Sequence, residues 1–139
     1  MPPIPKIKRF ARGDRLYVQA QQVWLILVSY AGVLHKTIAY GELAEAMGYD
    51  PRAGYTLGRH LGLVGEFCKA NRLPLLNTIV VNQITGMPGD EVVVQGKRTP
   101  ETIKKEQQSV LRYNWFSIRV PTTGTFRQTL NSIPSLRRH

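Results

Sequence analysis

Side chains able to serve as a nucleophile, an acid–base pair or a metal ligand are few, namely one cysteine, three histidines and nine carboxylates. A transition-metal site needs imidazole and thiolate at short, regular spacing. His35, His60 and His139 have no such spacing and Cys68 stands alone, so neither a metal nor a cofactor is expected. The single thiol also excludes an intramolecular disulfide. Cys68 shares a helical face with Leu57, Leu61 and Val64, which favours an inert buried thiol over a nucleophile. Asp90 and Glu91 are adjacent, and neighbours in a strand point to opposite faces, so they read as wing-loop and strand-edge charges.

What the chain has instead is positive charge, with 19 Lys and Arg against 9 Asp and Glu for a formal net charge of +10. A polyanion is the partner such a surface selects. Near the start of the segment from Pro51 to Ala70, Arg52, Tyr55 and Arg59 fall together on the side opposite the apolar face. Arginine can bond phosphate or a base edge, and a tyrosine ring can stack on a base. The competing reading is a solvated face that only keeps the protein soluble. Lys6, Lys8, Arg9 and Arg12 add a basic arm suited to lie along phosphates.

These residues need a scaffold, and 139 residues suffice for one domain with its own core. Residues 1–13 read as the arm, 14–120 as the folded domain and 121–139 as a loose basic tail ending Leu136-Arg137-Arg138-His139. Asp14 is the expected N-cap of a helix reaching Leu34, with Leu16, Ala20, Val23, Leu27, Tyr30 and Leu34 inward. A brief strand over Thr37–Ala39 and a helix over Tyr40–Met47, ended by Gly48, follow. Asp50 and Pro51 then open the helix to Ala70. Thr78–Val81 and Glu91–Val94 read as a β-hairpin with the tip 82–90, Thr99–Tyr113 as another helix and Trp115–Val120 as a strand.

The expected fold is therefore mainly α with a small β-hairpin, a winged helix-turn-helix. Gly54, Gly58, Gly62 and Gly65 form a further stripe on its central helix, at a cost of about 0.5–1 kcal/mol each relative to alanine. Something must come close there, either a neighbouring element of the fold or a nucleic-acid backbone. The longest apolar run, Val23–Val28, is far too short to cross a bilayer, so no membrane partner is expected. The N-terminal stretch has no signal-like apolar segment, and a cytoplasmic location is the expectation.

Taken in order, Thr37-Ile38-Ala39-Tyr40-Gly41-Glu42-Leu43-Ala44, Asp50-Pro51-Arg52-Ala53, Leu57-Gly58, Asn71, Leu73-Pro74 and Val80-Val81 carry a likeness. Over roughly Val23 to Gly89 the chain resembles the C-terminal DNA-binding domain of alkylguanine-DNA alkyltransferases and the alkyltransferase-like proteins. The resemblance implies duplex DNA as partner, Tyr40 as the residue that helps turn out a nucleotide, and Tyr55 where the family has an intercalating arginine. Asn77 stands at the reactive cysteine's place and Thr78 at that of the activating histidine, which excludes alkyl transfer there and leaves the two as a possible base pocket.

The leading expectation is a non-enzymatic protein that binds double-stranded DNA through the helix 51–70 and the wing 82–90, as a regulator or a sensor of modified bases. An RNA-associated or protein-docking module, with Trp115, Phe116 and Ile118 as contacts, is the alternative. A base-processing enzyme with Asn77 and Tyr40 lining a pocket is a third reading. The oligomeric state is left open.

Overall fold

The computed structural model describes residues 3–133, so the basic stretch 136–139 of the expected tail lies outside the described residues. The protein is mainly helical, with five α-helices and one two-stranded sheet among the described residues. Helix α1 spans Arg15–Ser29 and continues as a wider π-type turn, Tyr30–Leu34. Strand β1 (Ile38–Ala39) leads directly into α2 (Tyr40–Ala46), and Gly48 ends that helix at φ 86°. A 3-10 segment, Pro51–Leu57, runs into α3 (Gly58–Ala70). After a 3-10 turn at Leu76–Ile79 come β2 (Val80–Val81), a long loop, α4 (Pro100–Arg112) and α5 (Thr123–Ser132).

The core forms where the helices meet around Trp24. Its indole lies edge-on to Phe67, with centroids 5.4 Å apart, and to Trp115 at 5.7 Å. Phe67 in turn meets Phe126 of α5 at 5.8 Å. Each such edge-to-face pair adds about 0.5–1.5 kcal/mol to what burial supplies. Ala20, Val23 and Leu27 are buried as the periodicity of α1 requires, but Leu34 is 52% exposed because the π turn rotates the last residues off the stripe. Asp14 makes no cap hydrogen bond; its carboxylate pairs with Arg127 of α5.

The expected hairpin is not formed. Val80 and Val81 pair in parallel with Ile38 and Ala39, and 91–94 adopts no strand. A parallel pair needs a long crossover, here everything from α2 to the turn before β2. Val92 is buried, and its carbonyl accepts a hydrogen bond from the Arg98 guanidinium (2.8 Å), which removes it from any ladder. The stretch from Trp115 is likewise not a strand: residues 115–117 form a 3-10 turn, and the buried Trp115 indole N–H donates to the Val110 carbonyl at 2.8 Å. Residues 123–132 are not a loose tail but α5, capped by Thr122 and anchored by buried Phe126 and Leu130. The helix assigned to Pro51–Ala70 begins as seven residues of 3-10 geometry, because Gly54 is pressed onto the backbone of Tyr40.

No helix among the described residues is long and apolar enough to cross a membrane. The parallel pair has one positional consequence: the chain leaves β1 at Tyr40 and β2 at Asn82 on the same end of the sheet.

Candidate functional site

Tyr40 is the first residue of α2. Ala39 has no side-chain acceptor for an N-cap, and order there comes from Glu42, whose carboxylate accepts from the Ala39 N–H at 3.1 Å. The Tyr40 ring is held by three contacts. It stacks on Tyr55, with centroids 5.8 Å apart and planes inclined by 23°. Its hydroxyl accepts from the Gly89 N–H at 2.6 Å and donates to the Glu91 carboxylate. Burial first, and the hydrogen bond to Glu91 second, push the phenol well above the ordinary tyrosine value.

That shift carries a sign. In the unfolded chain the phenol ionises near its ordinary value of 10, whereas in the fold it stays neutral beyond it. Its contribution is complete below about pH 10 and is lost as the pH rises through the higher folded value. Urea unfolding across about pH 9 to 11.5 should therefore show stability falling in the wild type, and a flatter profile in Tyr40→Phe. Equal slopes in the two proteins would contradict this placement of the phenol.

Tyr55 lies three residues after Arg52, and at three residues per turn the two sit one above the other. The outer part of the Tyr55 ring is free, the residue being 74% exposed. Arg52 is bound at Nε and Nη2 by the Asp50 carboxylate (3.0 and 3.2 Å), and the same Asp50 caps the segment by accepting from the Arg52 N–H at 2.9 Å. The guanidinium holds the Asp50 carboxyl below its usual range. Arg59, at the second residue of α3, is exposed. The structure thus brings Tyr40, Tyr55 and Arg52 together in one lining, and Arg59 lies outside it.

Facing them is the loop after β2. The Asn82 amide oxygen accepts from the N–H groups of Ile84 and Thr85 (2.8 and 3.2 Å), and Gly86 at φ 70° completes the turn. Arg98 fixes the second half of the loop by donating to the carbonyls of Pro88, Gly89 and Val92. Between loop and helix lies a hollow of ≈ 280 Å³ lined by Tyr40, Tyr55, Gly58 and the loop as far as Glu91. A second hollow of ≈ 250 Å³, lined by Ala39, Gly41, Pro51, Arg52, Val81 and Gln83 among others, shares Tyr40, Tyr55 and Asn82 with the first.

Asn77 and Thr78, expected as a base pocket, are closed off. They are 1% and 0% exposed. The Asn77 amide donates to the carbonyls of Leu61 (3.1 Å) and Glu91 (3.3 Å), and the Thr78 hydroxyl donates to the Leu75 carbonyl at 2.7 Å. The space beside Asn77 is ≈ 10 Å³, far below the size of a base. Here the backbone of Glu91 and the close approach of α3 at Gly65 fill what an open pocket would need.

Lys6, Lys8, Arg9 and Arg12 are all exposed, and the arm from Pro3 to Ala11 has no regular structure. Cys68 is fully buried, and burial pushes its thiol up to about 12, which leaves it inert near neutral pH. Burial first, then Arg59 and Arg15, push the His60 imidazole below its ordinary value, and its Nε2 lies 2.8 Å from the Gln19 side-chain oxygen. No cluster of three or more metal-ligating side chains occurs among the described residues. Glu91 was missed as a site residue, because alternation along a strand misplaces a side chain when the strand is absent.

No protein-family model, curated protein or solved structure matches this chain.

Proposed function

We propose that the chain is a non-enzymatic DNA-binding protein whose contact surface is the Tyr40–Tyr55 pair with Arg52 and Arg59. On this reading α2 and the Pro51–Ala70 segment form a helix-turn-helix, the loop 82–91 stands where a wing would be, and the basic arm reaches along phosphates. One observation carries it: a large aromatic ring, 74% exposed, is fixed in position by stacking on a second ring and shares the lining of one hollow with the exposed Arg52. An exposed ring of that size gains little from water, whereas bases have faces to stack on it and phosphates to pair with the cations. The hollow beside Tyr55 is the place where a displaced or modified base would rest, which suits a regulator or a sensor of altered bases. The resemblance to the alkyltransferase DNA-binding domain agrees with this reading but is not needed for it.

A protein-docking reading is favoured by exposed apolar side chains elsewhere in the chain. Leu25, Val33, Phe116 and Val120 are 47%, 62%, 64% and 49% exposed, although Trp115 beside them is core. Fluorescence anisotropy with labelled duplex, single-stranded DNA and structured RNA separates the readings. Salt-sensitive binding of DNA, lost on Tyr55→Ala, is the expected result. Absence of binding to any of the three at low salt would overturn the nucleic-acid reading.

A further inference from the structure

Tyr40 and Tyr55 line two hollows rather than one. The first, of ≈ 280 Å³, opens toward Gly58, the loop 85–89 and Glu91; the second, of ≈ 250 Å³, opens toward Pro51, Arg52 and Gln83. Both lie below the range of about 300–1,000 Å³ that accommodates drug-sized ligands, so each is of a size for one planar base and not for a whole nucleotide chain. Both rings of the stacked pair belong to both linings, and the outer one stands clear of the surface.

The two hollows differ in polarity, and Arg52 lines only the second. Glu91, an acceptor, lines the first; Arg52 and the Gln83 amide, both able to donate, line the second. Two neighbouring bases in a stacked strand are about 3.4 Å apart. Two stacked rings standing between them need about three times that separation, which a paired and stacked step cannot give without opening.

Resting on the nucleic-acid reading above, we infer that the ligand is an unpaired dinucleotide step, one base in each hollow with the Tyr40–Tyr55 pair between them and the intervening phosphate above Tyr55, within reach of Arg52 and Arg59. Such a step is found in single strands, at mismatches and at extruded bases, so the protein selects locally opened nucleic acid over intact duplex.

Gly58 gives a means of testing this that spares the fold, because a Cβ built there meets nothing within 4 Å. Gly58→Leu therefore fills the first hollow, and Gln83→Trp, at an exposed position, fills the second. Mononucleotides, dinucleotides, an eight-residue single strand and a matched duplex are titrated against wild type and both variants by calorimetry, with thermal unfolding as a check of the fold. Base stacking predicts that the wild type holds a dinucleotide at least about fivefold more tightly than a mononucleotide, and that either variant removes this gain. Equal affinity for the two ligands, or a gain that survives either filled hollow, would overturn the two-subsite inference while leaving nucleic-acid binding in place. If neither the single strand nor the duplex binds the wild type, the nucleic-acid reading fails and this inference falls with it.

Discussion

Gly54→Ala is expected to destabilise the protein by about 3 kcal/mol or more, whereas Gly58→Ala, four residues on, leaves it unchanged or slightly more stable. A Cβ at Gly54 would lie 2.5 Å from the Tyr40 carbonyl oxygen, 2.6 Å from its carbon and 2.9 Å from its Cβ. These are mainly backbone atoms at the start of α2, and α2 cannot retreat without tearing Tyr40 from Gly89 and Glu91. Overpacking of this kind usually costs about 1–3 kcal/mol when side chains can adapt, so an unyielding backbone belongs at or beyond the upper end. At Gly58 an added methyl meets nothing within 4 Å, and relief of glycine's entropy cost is worth up to about 0.5–1 kcal/mol. Thermal unfolding should show the first variant melting roughly 10 °C below the wild type and the second at or above it. Like effects in both would mean that the 3-10 segment does not sit on α2 as described.

That contrast shows what the sequence could and could not tell about the glycine stripe. Four glycines on one side of a helix announce a close approach, but their spacing is silent on what approaches. A Cβ at Gly54 would run into Tyr40 and one at Gly65 into the Asn77 amide, whereas one at Gly58 would meet nothing and Gly58 borders the first hollow. The first two answer to the fold, and the third has open space beside it.

Elements with strong local signals were legible. The Asp50-Pro51 start, the Gly48 stop and the Thr99-Pro100 cap are all present, because each is fixed by a hydrogen bond or a backbone angle within a few residues. The errors arose where distant contacts decide. Thr78–Val81 and Glu91–Val94 have the composition of strands, yet Val80 and Val81 are taken by Ile38 and Ala39, and the second run is held by Arg98 instead. Helix α5 opens with Thr-Gly-Thr, poor helix formers, and depends on burying Phe126 and Leu130. Of the site, Arg52 and Tyr55 were readable from periodicity, since a 3-10 turn keeps them aligned as a helical wheel roughly does, while Tyr40 came only from the resemblance. Glu91 and the hollows were not, since both depend on where the loop folds back.

Removing both arginines should weaken DNA binding on the order of a hundredfold at low salt and make what remains less sensitive to salt. If the four arm cations and Arg52 and Arg59 each meet a phosphate, six contacts give a slope of log affinity against log salt near about −5 for duplex and −4 for a single strand. Going from about 50 to 200 mM salt then costs the wild type roughly a thousandfold. In Arg52→Ala/Arg59→Ala the slope should become shallower by about 1.8 for duplex and 1.4 for a single strand. Asp50 gives the opposite test, because its carboxylate holds Arg52 at 3.0 Å on the surface and competes there with any phosphate. Asp50→Asn keeps an N-cap acceptor while deleting that charge, so affinity should rise and the slope steepen. Two arginines that merely keep the protein soluble would leave the slope unchanged in the double variant, and freeing Arg52 would then gain nothing.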